Sequence, residues 1–161
     1  MKLSLAIALT GLIALASCGG GGGRGWLPSP VDNAVHDNLA VAWTQPPMYE
    51  PEVEGEAPAP LDLSKDIRLY EVVCYDNAAQ LAQWNHVPFA DNEIRTEYPL
   101  VIAYVSGVDG AGVPIQDVDI DLTRLAGIVL PEGVYISVRS QSQDNAFSAF
   151  AAGMYPEEGK K

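Results

Sequence analysis

Apolar and polar residues alternate with a period of two over much of the chain beyond residue 30, which is the pattern of half-buried β-strands. The segments that alternate, or that are rich in β-branched and aromatic residues, are 39–43, 67–75, 100–105, 118–122 and 134–138. A turn cluster of serine, glycine and aspartate follows at 106–112, and only 77–84 fits a helical turn. Short strands separated by Pro/Gly loops predict an all-β domain and favour a β-sandwich.

The first residues of the chain have a different pattern. After Lys2, residues 3–16 form an almost wholly apolar run of about 14 residues. A helix needs roughly 20 apolar residues to cross the hydrocarbon core, so this run is too short to span it. A positive start, a short apolar run and small residues at its end describe an export signal.

The end of the apolar run, Leu15-Ala16-Ser17-Cys18, resembles the lipobox of bacterial lipoproteins. In that family a dedicated peptidase cleaves before the cysteine, whose thiol receives diacylglycerol and whose new amine is often acylated, with palmitate as a common chain. The resemblance implies a signal peptide over 1–17, recognition of Leu15, Ala16 and Ser17 by the signal peptidase, and lipidation of Cys18. It also implies attachment to the membrane through the acyl chains. The alternatives are an ordinary secretory signal that contains a cysteine, or an uncleaved anchor.

The residues after Cys18 predict a spacer. An unbroken glycine run, 19–23, precedes a proline-containing stretch, and such runs behave as flexible coil that prolines stiffen. The predicted organisation is a lipidated N-terminus and Gly/Pro linker over 18–30, one folded domain over 31–153, and a C-terminal tail over 154–161. Because glycine rather than aspartate follows Cys18, the lipoprotein resemblance favours the outer membrane if the organism is Gram-negative.

Charge and cysteine content narrow the classes of partner. Removal of 1–17 takes away Lys2 and leaves 8 basic against 21 acidic residues, a formal charge of −13. Such a surface argues against nucleic-acid binding and against adsorption to anionic lipid, so we expect the acyl chains to supply the membrane affinity. With Cys18 lipidated, Cys74 has no partner for an internal disulfide. We expect it to be buried in the core, with a reactive thiol or an intermolecular bridge as the alternative.

Four motifs in order resemble a fibronectin type III domain over 38–151. Trp43 followed by Pro46-Pro47 is similar to the second strand of that family, 61–63 through 67–75 to the third, 130–140 to the start of the sixth, and 144–150 to the hairpin and last strand. The resemblance implies an immunoglobulin-like β-sandwich, with insertions at 46–60 and 76–115 that are longer than is usual in the family. The structural core residues that it implies are Trp43, Tyr70, Val72, Cys74 and Tyr135. Tyr135 would form the tyrosine corner. The alternative is a different immunoglobulin-like sandwich.

Catalytic and metal-binding patterns are missing from the sequence. Neither His36 nor His86 lies in a metal or general-base motif. Asp117, Asp119 and Asp121 alternate along a predicted strand, which places neighbouring carboxylates roughly 7 Å apart, too far for all three to bind one ion. We therefore predict no enzyme activity, no metal and no cofactor.

The aromatic residues of the 76–115 insertion are the candidate ligand contacts. We expect exposed rings at Trp84 and Phe89, which could contact a sugar or a peptide. The predicted function is a lipid-anchored, non-enzymatic interaction or adhesion module of the bacterial cell envelope, binding an unknown envelope protein or polysaccharide. The alternatives are an envelope enzyme or accessory subunit that acts on glycans through loop carboxylates such as those of 50–56, and a passive structural spacer.

Overall fold

The computed structural model describes residues 24–35, 40–77, 79–89, 95, 97–115, 117–121 and 134–153. The predicted signal peptide over 1–17, Cys18, the glycine run and the predicted tail 154–161 lie outside them. The described elements, in chain order, are β1 (Val31–Val35), β2 (Ala40–Thr44), α1 (Leu63–Asp66), β3 (Ile67–Tyr75), α2 (Ala79–Ala82), β4 (Leu100–Ser106), β5 (Asp117–Asp121) and β6 (Tyr135–Ser142). The prediction of an all-β fold is confirmed, since the two helices have four residues each.

The strands form two antiparallel sheets, with the orders β1-β2-β5 and β4-β3-β6. In the first sheet Trp43 is paired with Val118. In the second, β3 pairs along most of its length with β6, from Ile67 opposite Ser142 to Tyr75 opposite Tyr135. The central strands are β2, whose apolar residues alternate, and β3, which is rich in aromatic and β-branched residues.

A first hydrophobic cluster joins the two sheets. It contains Val41 and Trp43 from β2, Tyr70, Val72 and Cys74 from β3, and Ile136 and Val138 from β6. At its centre the rings of Trp43 and Tyr70 meet edge to face, with centroids 5.3 Å apart, a favourable geometry for aromatic pairs. The Tyr70 hydroxyl donates a hydrogen bond of 2.9 Å to the carbonyl oxygen of Ile115.

A second cluster covers the other face of the β4-β3-β6 sheet. Val73 and Tyr75 of β3 pack there with Val101 of β4 and with two residues of the 79–89 segment, Leu81 and Phe89. Successive residues of a strand point to opposite faces, and 70–75 are all buried. Strand β3 is thus enclosed on both sides, which explains why its sequence is a nearly continuous apolar run.

Residues 24–30, predicted to belong to the linker, pack against the domain instead. Trp26 and Glu50 exchange two backbone hydrogen bonds, of 2.7 and 2.9 Å. Leu27 is part of the first cluster. The carbonyl oxygen of Pro28 accepts hydrogen bonds from Gln45 Nε2 and Ser140 Oγ, at 3.1 and 3.0 Å. The Gly/Pro composition that predicts a linker therefore extends into the folded domain.

Two further elements were not predicted. Strand β1 begins directly after Pro30 and contains a register shift between Val31 and Ala34, where Asp32 has a φ of 54°. This bulge hides the alternation from the sequence pattern. Helix α1 begins after Asp62, whose carboxylate accepts a hydrogen bond from the Ser64 backbone N–H. That contact is a typical N-cap, but the helix is too short to show a helical period.

Candidate interaction surface

The predicted core residues occupy two different places. Trp43, Tyr70, Val72 and Cys74 are fully buried in the first cluster. Tyr135 is partly buried, packs against the second cluster and stacks on Tyr75 with ring centroids 5.5 Å apart. Its role as a tyrosine corner stays a prediction.

The free thiol of Cys74 is buried in the first cluster. Burial, and then the nearby charge of Asp76, raise its pKa to about 11. At neutral pH the group is therefore a protonated, inert thiol, because the thiolate is the reactive form of cysteine.

The two candidate ligand aromatics lie together, with ring centroids 4.9 Å apart. Phe89, however, is only 4% exposed, so the expectation of an exposed ring there is wrong. The ring is needed inside the domain, where it covers the sheet and contacts the guanidinium of Arg139 at 4.6 Å. Trp84 is partly buried and lies 4.9 Å from the guanidinium carbon of Arg95.

The residue that organises this region is Arg139 on β6, which is completely buried. Its Nε donates to the Glu71 carboxylate at 2.6 Å, and its Nη1 donates to the carbonyl oxygens of Trp84 and Val87 at 2.7 and 2.6 Å. The rings that surround its guanidinium at 4.2–4.6 Å are Phe89, Phe147 and Phe150. We call Arg139, Glu71 and these rings the arginine cluster. It fastens the 84–89 segment to the sheet.

Burial dominates the electrostatics of the arginine cluster. It raises the pKa of Glu71 and lowers the pKa of Arg139, and each shift is opposed by the charge of the other residue. Removing both charges from water is costly, and the close ion pair offsets that cost. Arg139 Nη2 and Trp84 Nε1 are buried without a hydrogen-bond partner in the described part of the chain. Glu71 is thus held in a structural pair and is not a free acid or base.

An exposed apolar patch lies beside the point where the described chain begins. Trp26 is 44% exposed, Met48 39% and Val87 44%. Trp26 is paired antiparallel with Glu50, and Met48 lies two residues before Glu50, so strand alternation would place Met48 and the exposed Glu50 on the side of Trp26. The Trp26 ring lies 5.3 Å from the ring of His86, the neighbour of Val87. We call this surface, formed by Trp26, Met48, His86 and Val87, the Trp26 face.

The Trp26 face lies towards one end of the sheets. Arg24, the first described residue, forms an ion pair of 3.4 Å with Asp66, directly before β3 begins. Strand β6 ends opposite the start of β3, with Ser142 paired to Ile67. We call this the tether end. At the far end lie Leu100, Tyr75 and Tyr135, where β3 ends and where β4 and β6 begin.

The acidic residues of the sequence do not gather into a described site. Glu50, Glu52, Glu54 and Glu56 are all exposed in the loop that leaves the Trp26 pairing. Strand β5 pairs its backbone with β2, so that Asp117, Asp119 and Asp121 lie opposite Thr44, Ala42 and Ala40. Among the described residues no group of three His, Cys, Asp or Glu side chains could hold a metal ion.

Of the two histidines, the structure describes His86 and leaves His36 outside the described residues. His86 is exposed, as expected for a loop histidine, and its Nδ1 lies 2.9 Å from the carbonyl oxygen of Phe147. Its backbone φ is 60°. No sequence pattern near His86 indicates that its ring contacts Trp26, which lies 60 residues earlier in the chain.

Within the ranges described above, neither helix is long and apolar enough to cross a membrane. No family model, curated protein or solved structure matches the chain. What the protein does must therefore be inferred from its own motifs and surfaces.

Proposed function

We propose that the chain is a lipid-anchored protein of the bacterial cell envelope, whose fibronectin type III-like β-sandwich acts as a non-enzymatic interaction or adhesion module. The observation that carries the fold part of this proposal is the strand order. The orders β1-β2-β5 and β4-β3-β6 are the ones that strands A-B-E and C′-C-F of an immunoglobulin-like sandwich would have. The Trp of strand B, Trp43, lies in the cluster that joins the two sheets, as the fibronectin type III resemblance implies.

The segment after β6 supports the same reading. It runs back along β6, with hydrogen bonds from Ser148 N–H to the Ser140 oxygen and from Ala151 N–H to the Val138 oxygen, at 3.0 and 2.9 Å. In the proposed sandwich this segment would be strand G, which pairs with strand F. The loop between them, 142–146, would then be the F–G loop at the tether end.

The proposed anchor rests on the four residues Leu15 to Cys18 and on charge. A mature charge of −13 gives the domain no attraction to anionic lipid. Two or three acyl chains on Cys18 would supply that affinity, because a single chain holds a protein only marginally. The outer membrane is the proposed location if the organism has one.

The proposed absence of catalysis is supported by the carboxylates that are described. Glycan hydrolysis needs two carboxylates facing each other across a cleft at about 5–10 Å. The one fully buried glutamate of the described residues, Glu71, is bound to Arg139, and the glutamates of the 50–56 loop are exposed to solvent. An interaction module needs only the scaffold and its surface.

Two measurements test the proposal. Metabolic labelling with a fatty-acid probe should mark the wild-type protein, and Cys18→Ala should abolish both the label and the processing of the precursor. Label that persists in Cys18→Ala would contradict the anchor.

Crosslinking on intact cells should then recover the same envelope protein or polysaccharide with the tagged wild type in repeated experiments. The Cys18→Ala variant, released from the membrane, is the matched control. If no partner is recovered across growth conditions, the interaction module is wrong and a passive spacer is favoured.

A further inference from the structure

We propose that the Trp26 face rests on the zwitterionic phospholipid surface that holds the acyl chains of Cys18. The domain would then lie with its tether end on the membrane and its far end turned outward. This inference rests on the lipid anchor of the proposed function, and it adds an orientation and a second point of contact.

Chain length limits where the domain can sit. Cys18 is separated from Arg24 by five glycines. Six residues, 18–23, span at most about 20 Å even when fully extended, at 3.3–3.6 Å per residue. Arg24 is held on the domain by its ion pair with Asp66 and by the pairing of Trp26 with Glu50. The tether end therefore stays within about one domain radius of the lipid headgroups.

The side chains at that end suit the headgroup region. Tryptophan is enriched at membrane–water interfaces because its ring is apolar while its N–H can meet water or a headgroup. Trp26 exposes nearly half of its surface, although its backbone N–H and C=O are both hydrogen-bonded to Glu50. Met48 and Val87 extend the apolar surface, and exposed apolar patches mark sites of interaction.

The charges near the patch select the kind of lipid. The Arg24 side chain is 62% exposed, and its single ion pair with Asp66 leaves guanidinium N–H groups that can donate to a lipid phosphate. The exposed glutamates of the 50–56 loop begin at the residue that pairs with Trp26. They would repel an anionic membrane. A zwitterionic surface such as phosphatidylcholine or phosphatidylethanolamine satisfies both conditions.

The test attaches the mature chain, 18–161, to vesicles through its own Cys18. The thiol is coupled to a maleimide-headgroup lipid in phosphatidylcholine vesicles, and the buried Cys74 does not compete. Some of the phosphatidylcholine carries brominated acyl chains, which quench tryptophan at short range. We expect quenching of the wild-type emission, and loss of most of that quenching in Trp26→Phe.

Matched variants keep the result interpretable. Trp84→Phe should retain the quenching, because Trp84 is partly buried against Phe89 and Arg95 and does not belong to the Trp26 face. Met48→Ser, a change at an exposed position, should weaken the quenching without removing a fluorophore. Equal quenching in wild type and Trp26→Phe, or none in either, would overturn the proposal.

Two other occupants of the face are outcomes of the same set of experiments. If sedimentation shows that the uncoupled chain dimerises and that Trp26→Phe abolishes the dimer, a second copy covers the face and the proposal is wrong. If the quenching is stronger on vesicles rich in phosphatidylglycerol, the zwitterionic assignment is wrong. Because the coupling is chemical, failure of quenching overturns only the orientation, whereas absence of acyl label in cells overturns only the natural anchor.

Discussion

Strand β3 is covered on one face by the first cluster around Trp43 and on the other by the second cluster and the buried pair of Glu71 and Arg139. The first face is held mainly by apolar contacts, and its only described polar side-chain bond from β3 is that of Tyr70 to Ile115. The second face encloses two charges and three phenyl rings. Neighbouring residues of β3 are thus stabilised by different interactions, apolar packing on one face and a buried ion pair on the other.

The difference shows what each kind of burial can hold. Apolar contacts tolerate small shifts and specify position loosely, whereas a guanidinium that donates to a carboxylate and to two backbone carbonyls fixes a geometry. Arg139 therefore fixes the backbone of the 84–89 segment at two carbonyls, in addition to the apolar packing of Phe89. The cost is dependence on its partner, since loss of one member leaves the other charge buried alone.

The largest expected effect is at Arg139. Arg139→Met leaves the Glu71 carboxylate buried without its partner, and we expect a loss of about 3–5 kcal/mol in the free energy of unfolding, measured in urea. The double variant Glu71→Leu with Arg139→Met should recover most of that loss, because an apolar pair of similar volume is often as stable as the ion pair. If Arg139→Met alone lowers the free energy of unfolding by less than about 1 kcal/mol, the pair of Glu71 and Arg139 does not stabilise the second face.

The next effect tests how far the first cluster extends towards the N-terminus. Leu27→Ala should cost about 2–3 kcal/mol, within the usual range for a buried leucine. Val53→Ala, at a position that is 57% exposed, is the control and should change stability by less than about 0.5 kcal/mol. If both variants behave alike in urea unfolding, residues 24–30 are a linker after all.

A smaller effect isolates the polar bond of the first face. Tyr70→Phe removes the hydroxyl that donates to the Ile115 oxygen, and we expect a loss of about 1 kcal/mol. Burial raises the pKa of Tyr70, so its neutral form is the one that stabilises the fold. That contribution is present below pH 10 and decreases as the pH rises further, and the variant should lack this alkaline dependence. If Tyr70→Phe lowers the free energy of unfolding as much as Arg139→Met does, the first face depends on its polar bond as strongly as the second depends on its ion pair.

The smallest effect lies outside both clusters, at the N-cap of α1. Hydrogen bonds from Lys65 and Ser64 lower the pKa of Asp62 to about 2. A carboxylate with a lowered pKa contributes stability above its ordinary pKa of about 4, and that stability disappears as the pH falls towards 2. Asp62→Ala should therefore lower the urea midpoint slightly at pH 7 and leave it unchanged at pH 2. An equal decrease at both values would show that the carboxylate charge is not involved.

Sequence reasoning located the strands whose alternation is regular. The predicted 67–75 strand has the bounds of β3, the 39–43 segment is shifted by one residue from β2, and the 100–105 segment ends one residue before β4 does. Strand β1 was missed because its bulge breaks the alternation, and β1 is also the strand that follows Pro30. Local period is a strong signal only while the backbone stays regular.

The arginine cluster could not have been read from the sequence. In Val134-Tyr135-Ile136-Ser137-Val138-Arg139 the arginine occupies a polar position of an alternating strand, which normally faces solvent. Its partners Glu71 and Phe89 are 68 and 50 residues away in the chain. Phe89 was expected on the surface for the same reason: nothing local shows that a charged group lies beneath it. The packing of Leu27 was likewise masked by the Gly/Pro residues on each side.

Gly25 separates the part of the spacer that can change in length from the part that cannot. Its φ is 105°, and a Cβ at this position would clash with the carbonyl oxygen of Glu50. Each glycine added to or lost from 19–23 would alter the maximum reach from Cys18 by roughly 3.5 Å without changing a described contact, so the length of this run is free to vary. Gly25 has no such freedom. We therefore expect natural variants of this gene to differ in the number of glycines before Arg24 and to agree at the glycine after it.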